Sequence, residues 1–516
     1  MNVPAAADTR LAPLSRAGWW HCSLPLLIGA FVYLYVVTRG RALLQDGDTM
    51  WHIAAGQWIL GHGAVPTQDP FSHTMRGAPW VAHEWLSEIP LALAHDSGGW
   101  TAVVALGALA FAATVGLLAR ALLRWLEPIH VVLVSALAVL MTASHLLARP
   151  HVLAMPLMLV WVIGLVRARE EDRAPSLWLL PVMTIWANMH GGFTLGIALT
   201  LALGAEAVLA GWRRQRAGAA ARSWGLFVGL ATVCALLTPH GAQAFAFTWQ
   251  VMVEDSFALT RIGEWRSPDF HRFQPLEAWL LALMALAMHK GLRLPPMRLL
   301  LLLGLVHLSL KHIRNVELLG LLAPLLLAPA FAAQWQRLRG AAPQFDGADR
   351  LMRLLAKPAE PAALLLAALM LGAITLAVGR GNPPAPPDKI APAAAVRAVK
   401  AAGVKGPVFN DYSWGGYLIY ASVPPFIDGR ADVYRDAFMK EYVNAMDLRD
   451  SHSLTRLLER HRVEWTLLAP DRAATALLDH LPGWRRLYAD EHAVVHVKTS
   501  IAATDGTAAP LAAPAR

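Results

Sequence analysis

The stretch DGDTMWHIAAGQWILGHG, Asp46 to Gly63, decides how the rest of the chain is read, because a close pair of carboxylates follows directly on an apolar run, Trp20 to Thr38. From Thr49 onward the spacing predicts a helix, with Trp51, Ala55, Trp58 and Ile59 on one face. A short helix carrying Trp on its apolar face is expected to lie in a membrane interface. Asp48 stands where a helix N-cap stands, so capping and chemistry are both open for it. Asp46 has no such local role in the sequence, and reads as a base, a metal ligand, or both.

Working outward, His83-Glu84-Trp85 opens the helix that leads back to the membrane, and Asp69-Pro70 reads as a turn. The loop therefore gathers Asp46, Asp48, His52, His83 and Glu84. Carboxylates with one or two imidazoles suit a divalent cation such as Mg²⁺ or Mn²⁺ better than a structural zinc. The two cysteines, Cys22 and Cys234, both lie in apolar runs, which argues against a disulfide framework or a thiolate zinc site.

The chain has 516 residues, 56% hydrophobic and 16% charged, against roughly a quarter charged for soluble proteins. Apolar runs account for the deficit. At roughly 20 residues per crossing, about eleven spans are expected, near residues 20–38, 100–122, 129–146, 151–167, 176–190, 192–211, 223–239, 276–289, 297–312, 316–333 and 361–379. The first run follows Arg10 and Arg16 as a signal peptide would, but it is long and lacks a small-residue cleavage site, so it reads as a retained anchor. The net charge of +9 does not mark a nucleic-acid binder, because the arginines sit in short loops between apolar runs. With the N-terminus in the cytoplasm, alternate loops collect Arg120 and Arg124, Arg167 to Arg173, Arg213 to Arg222, Lys290 to Arg298 and Arg337 to Lys357, as the positive-inside rule requires.

The expected organisation is a polytopic transmembrane domain over 1–380, with its first outer loop at 39–99, and a Pro-rich linker over 381–392. An extracytoplasmic α/β domain over 393–500 and a disordered tail over 501–516 complete it. Strands are expected at Pro407–Phe409, Pro425–Asp428, Glu464–Ala469 and Ala493–Val497.

On this map, polar residues stand at the outer ends of successive spans: Arg149-Pro150-His151, Asn188-Met189-His190, Thr238-Pro239-His240 and Lys311-His312-Ile313-Arg314. Glu264 lies in a longer outer loop. Each alone reads as a cap or a headgroup-zone residue. Arg149, Lys311 and Arg314 run against the charge rule, and cations at that depth are retained for a partner, of which a phosphate is the obvious one.

These residues together resemble the type C glycosyltransferases, integral membrane enzymes that use polyprenyl-phosphate-linked sugars as donors. The resemblance rests on Asp46-Gly47-Asp48 after the first span, and the longer pattern with Asp69-Pro70-Phe71-Ser72 and His83-Glu84-Trp85 is similar to a bacterial branch of that superfamily. The segment DYSWGGYLIYASVPPFIDGR, Asp411 to Arg430, is similar in layout to the Trp-Trp-Asp-Tyr-Gly region of oligosaccharyltransferase catalytic subunits, but Ser413-Trp414-Gly415-Gly416-Tyr417 lacks its internal acid. Gly415-Gly416 reads as a tight strand-to-helix turn, and Asp428-Gly429-Arg430 as a turn and a site candidate.

The resemblance implies an all-α membrane domain of about eleven helices with a large first periplasmic loop, then a small α/β domain outside. It implies hexosyl or pentosyl transfer from a polyprenyl-phosphate sugar to a glycan, lipid or protein acceptor, at the outer leaflet of a bacterial inner membrane. Asp46 and Asp48 would be catalytic, while Arg149, Lys311 and Arg314 would hold the donor phosphate. Trp51, Trp85, His151, Asn188, His190, His240, Glu264, His312, Asp428 and Arg430 would line the substrate site, with Trp58 a further sugar-stacking candidate. Two rival classes remain: a lipid-linked glycan binder or transporter without chemistry, and a metal-dependent phosphatase for lipid pyrophosphates.

Overall fold

The computed structural model describes residues 22–499 apart from 144, 213–214, 254–256, 258–262, 340–350 and 352–353. The expected disordered tail and the basic residues ahead of the first apolar run lie outside the described residues.

Every expected span coincides with a helix. Among the described residues, six helical stretches are long and apolar enough to cross a membrane: Trp85–Leu122, Pro150–Glu170, Phe193–Trp212, Ala217–Ala235, Ile313–Gln334 and Pro361–Gly381. We label the helices in chain order α1 Leu24–Thr38, α2 Asp48–His62, α3 Trp85–Leu122, α4 Pro128–Ala143, α5 Pro150–Glu170, α6 Leu180–Met189, α7 Phe193–Trp212, α8 Ala217–Ala235, α9 Ala242–Val253, α10 Pro275–Lys290, α11 Pro296–Lys311, α12 Val316–Arg339 and α13 Pro361–Gly381. The shorter ones fall below the hydrocarbon thickness, since 16 residues rise only about 24 Å. Local chemistry sets the ends. The Ser23 side chain accepts from the Leu26 amide at 3.3 Å ahead of α1, and Pro150 opens α5, where its missing N–H costs nothing. α3 is broken at Gly98–Gly99, where Gly99 takes φ +60, a backbone state that favours glycine. Its first part therefore belongs to the loop layer, and its second part is the expected span.

At the bundle end away from the DGD motif, a feature not anticipated from the sequence appears. Glu206 is buried inside α7 and receives Arg298 Nε and Nη2, both at 3.2 Å, and lies 3.1 Å from Arg169. A buried carboxylate among helices survives only with such partners.

The C-terminal part forms a four-stranded sheet of β1 Val408–Asn410, β2 Trp465–Leu468, β3 Trp484–Ala489 and β4 Val494–Lys498, in the order β1-β2-β4-β3. β1 and β2 are parallel, with Val408 opposite Trp465, and the other pairs are antiparallel. Helices α14 Ala393–Ala401, α15 Gly415–Tyr420, α16 Ala431–Met446, α17 Ser453–Arg460 and α18 Ala473–Leu478 complete it. Two strand expectations are corrected. Pro425–Asp428 is a buried loop, because the Asn410 side chain, rather than a neighbouring strand, accepts from the Phe426 amide at 2.8 Å. β3 went unread because it is an edge strand whose arginines, Arg485 and Arg486, are exposed.

The two outer pieces are also not separate. Trp51, Trp80 and Ala82 of the first loop share one apolar core with Phe409, Phe426 and Tyr434. α2 is accordingly no interfacial helix: Thr49 through Gly56 are buried within the protein, so its Trp face was satisfied by protein rather than lipid.

Candidate functional site

Asp46, Gly47 and Asp48 open α2, with Gly47 rather than Asp48 as N-cap residue. The capping role falls to Asp46, whose Oδ1 accepts from the Asp48 amide at 3.1 Å. This reverses the sequence expectation: Asp46 is the partly structural carboxylate, and Asp48 leaves its side chain free to reach outward.

Both carboxylates converge on Arg149. Its backbone is extended before Pro150 (φ −124, ψ 164), as steric clash with the proline ring dictates, and this sends the side chain away from α5. Arg149 Nε pairs with Asp46, Nη2 donates to Asp48 Oδ2 at 2.6 Å, and Nη1 donates to both oxygens of Glu264 at 3.3 Å. Arg314 adds a longer pair to Glu264 at 3.5 Å and lies over the Trp265 ring, 4.7 Å from its centroid. One guanidinium thus ties together three carboxylates from two separate segments. The charges respond. Burial lifts the Asp48 carboxyl to about 7, against the pull of Arg149 and with the push of Asp46 and Glu264. Burial also opposes ionisation of Glu264, but Arg149 and Arg314 outweigh it and hold that carboxyl down at about 2.

A second cluster lies beside the first. Glu84 is approached by His52 at 3.8 Å, His83 at 3.7 Å and His190 at 3.6 Å, and His52 Nδ1 sits 3.1 Å from Glu88. Burial lifts Glu84 to about 7, with Arg314 and Arg149 opposing. Burial pushes the imidazoles of His52, His83 and His190 down, towards the neutral form. His151 stands 4.0 Å from Glu317 on the facing helix.

Both clusters line one cavity of about 1120 Å³ between the membrane helices and the C-terminal domain. Its wall takes in Asp46, Asp48, Trp51, His52, His83, Glu84, Arg149, His151, His190, Glu264, Arg314 and Arg430. Lys311, Trp85, Asn188, His240, His312 and Asp428 are not on that wall. Lys311 is exposed, and only its carbonyl is used, by Ser267 at 3.3 Å. Asn188 accepts from the Trp85 indole at 2.8 Å and donates to Thr184 and Leu237 carbonyls, which is helix packing. His240 is buried away from the cavity. His312 Nδ1 lies 2.6 Å from the Trp265 carbonyl and so anchors the segment that carries Glu264. Trp58 stacks on His62, 4.0 Å between centroids, outside the wall.

Asp428 and Arg430 are fully engaged in holding the layers together. Arg430 donates to Asp428 at 2.9 and 2.7 Å and to Asp69 Oδ1 at 2.7 Å, and its guanidinium lies over the Phe71 and Trp80 rings. Asp69, read as a plain turn, also accepts from Phe71 and Ser72 amides, so it joins the first loop to the C-terminal domain. Glycines permit the close docking. A Cβ on Gly429 would meet the Asp48 carboxylate, one on Gly416 the Gly47 carbonyl, and one on Gly47 the Ser413 carbonyl. Gly415-Gly416 is therefore a contact surface for the DGD turn, and both residues lie in the α15 turn region with ordinary backbone angles. Sequence reasoning missed Tyr412, Asp432 and Arg435, all on the cavity wall. Arg435 breaks α16 with φ +57 and ψ 166, a strained state for a side-chain-bearing residue, and no motif announced it.

The five residues of the expected divalent-cation set stand as two groups rather than one. Asp46 and Asp48 close on Arg149, whereas His52, His83 and Glu84 close on each other. A fixed guanidinium thus stands where two acidic ligands would meet a cation. Among the described residues no group of three or more His, Cys, Asp or Glu is arranged to hold a metal ion.

No protein-family model matches the sequence, and no curated protein matches it. Solved structures do match in fold. The Archaeoglobus fulgidus oligosaccharyltransferase in its apo form aligns at TM-score 0.57 and 10% identity, over 86% of this chain and 69% of that one. The archaeal oligosaccharyltransferase AglB from the same organism, in complex with an inhibitory peptide and a dolichol-phosphate, aligns at 0.53 and 10% identity over the same shares. ArnT from Cupriavidus metallidurans bound to undecaprenyl phosphate aligns at 0.47 and 15% identity, over 91% of this chain and 97% of that one. The chain is a mostly helical protein that shares its fold with these archaeal oligosaccharyltransferase structures. The likeness to the archaeal oligosaccharyltransferase covers 86% of the chain, and the Asp411–Arg430 echo is consistent with it.

Proposed function

We propose that this protein is an integral membrane glycosyltransferase of a bacterial inner membrane, moving a sugar from a polyprenyl-phosphate donor to an acceptor at the outer leaflet. The observation that carries the reading is the meeting of Asp46, Asp48 and Glu264 on Arg149 at the wall of a cavity shared by the membrane helices and the C-terminal domain. The dolichol-phosphate bound by the archaeal enzyme of like fold supports a lipid-phosphate donor. The placement also narrows the roles. Arg149 and Arg314 face the cavity and take the donor phosphate, whereas Lys311 drops out.

In the proposed inverting step, an acceptor hydroxyl oxygen forms a bond to the anomeric carbon while the bond from that carbon to the phosphate oxygen breaks. The hydroxyl proton passes to Asp48, whose raised basicity suits a general base near neutral pH. The electron pair leaves on the polyprenyl phosphate, where the guanidiniums of Arg149 and Arg314 stabilise it. Asp46 positions Arg149 and the start of α2. Trp51, on the cavity wall, offers a face for the sugar.

The test is transfer of label from a radiolabelled polyprenyl-phosphate sugar in membranes containing wild-type protein, Asp46→Asn or Asp48→Asn. Asp48→Asn is expected to lower transfer by about a hundredfold or more, and Asp46→Asn by less. Wild-type rates in both variants would sink the mechanism, and release of phosphate without sugar transfer would point to a lipid phosphatase instead.

A further inference from the structure

At the end of the bundle away from the acid cavity lies a second, smaller cavity of about 340 Å³, between α3, α5 and α12. The chain direction fixes its depth. α5 lines the acid cavity from Pro150 to Met158 and this one from Val160 to Arg167, so that the rim at Arg167 lies sixteen residues, about 24 Å of helix, beyond His151. α3 likewise carries Glu88 at one end and Arg120 at the other, and α12 carries Glu317 at one end and Leu325 further along. The two cavities therefore sit near opposite faces of the same helices.

The slot has two kinds of wall. Leu117, Val160, Ile163 and Leu325 make its interior apolar. Its rim carries Arg120, Arg124 and Arg167, beside Trp125. The counter-charge is small. Glu171 takes Arg124 at 3.0 Å and Arg167 at 2.8 Å, and also Arg173 at 2.7 Å, while among the described residues Arg120 has no ion-pair partner. Arg124 and Arg167 share one carboxylate that Arg173 also claims, and Arg120 adds a further charge, so the rim keeps a net positive charge. Trp125, over whose ring the Arg124 guanidinium lies 5.4 Å from the centroid, marks the level at which aromatic rings sit between hydrocarbon and headgroups.

We propose that this slot binds one anionic glycerophospholipid, its phosphodiester held by Arg120 with Arg124 and Arg167 and its acyl chain lying against Leu117, Val160, Ile163 and Leu325. An apolar slot without cations would take any acyl chain, and a basic rim without a slot would attract headgroups only diffusely. The combination selects a lipid with both a chain and a net negative head. The site is independent of the proposed transfer chemistry, because none of its residues lines the acid cavity.

The experiment uses the purified, delipidated full chain in detergent, titrated with dioleoyl phosphatidylglycerol or dioleoyl phosphatidylcholine, with bound lipid read by native mass spectrometry. One phosphatidylglycerol is expected to be retained at about tenfold lower concentration than phosphatidylcholine, which is what one to two unit charges give at a membrane surface. The triple variant Arg120→Gln, Arg124→Gln, Arg167→Gln is expected to lose that preference. Ile163→Trp, which fills the slot and leaves the rim charged, is expected to lose the tight phosphatidylglycerol as well. Arg222→Gln, an exposed cation outside the slot, is expected to change neither. Equal retention of the two lipids by wild type, or a preference that survives in Ile163→Trp and in the triple variant, overturns the proposal. Displacement of phosphatidylglycerol by a lower concentration of undecaprenyl phosphate overturns it too, since the occupant would then be the carrier.

Discussion

Arg149 is the residue on which the site turns, because three carboxylates depend on one side chain for their charge balance. Lysine cannot replace it: a point charge on a flexible stem does not present the planar fork that reaches Asp46, Asp48 and Glu264 together. Arg149→Lys is expected to reduce sugar transfer by about a hundredfold or more. The Asp48 carboxyl, lifted to about 7, sets a pH dependence. A general base must be deprotonated, so kcat/KM should be level above pH 7 and fall about tenfold per unit below it. Glu84 is lifted to about the same value, so the assignment needs both variants. The acid limb is expected to persist in Glu84→Gln and to be missing from the residual activity of Asp48→Asn. Since Arg149 pulls the Asp48 value down, Arg149→Lys, with its charge held less closely, should move the limb to higher pH. A limb that stays fixed in Arg149→Lys and disappears in Glu84→Gln would transfer the base role to Glu84.

Among elements, the membrane helices were the legible part, because an apolar run long enough for a bilayer has few other readings, and each of the expected runs is helical. Pairings between distant elements were not legible. Nothing local tells that Asp69 in the first loop meets Arg430 in the C-terminal domain, or that the indole face of α2 is covered by protein. The span-end charges were visible as exceptions to the topology rule, yet their meeting on Arg149 needed the fold, and Lys311 shows that the same exception also arises without a site. Glycines at α15 and after Asp428 were legible as small residues but not as the floor on which the DGD turn rests. That floor carries a test. Gly429 abuts Asp48 so closely that a methyl group would meet its carboxylate. The neighbouring atoms belong to a buried ion-paired loop that yields little. Gly429→Ala is therefore expected to lower transfer by about tenfold or more while the thermal midpoint falls only by the few degrees typical of overpacking, about 1–3 kcal/mol. Unchanged transfer would show that Asp48 moves freely and that the domain contact does not position it.

At the scale of the whole molecule, the two ends of the bundle differ in kind. One end gathers carboxylates, imidazoles and four arginines beneath the C-terminal domain. The other ends in arginine-rich turns, with Glu206 buried among Arg298 and Arg169. By the positive-inside rule the arginine-rich end is expected in the cytoplasm, and the acid cavity and the C-terminal domain would then share the outer side, where the proposed transfer would take place. Orientation and mechanism are thus linked, and one labelling experiment decides both. With Cys22 and Cys234 replaced by alanine, single cysteines at Asp388, exposed in the linker, and at Arg216, exposed beyond α7, report on opposite ends. A membrane-impermeant maleimide is expected to label Asp388→Cys in intact spheroplasts and Arg216→Cys only after permeabilisation. The reverse pattern would put Asp48 and Arg149 on the cytoplasmic side, and would replace transfer at the outer leaflet by chemistry on donors still facing the cytoplasm.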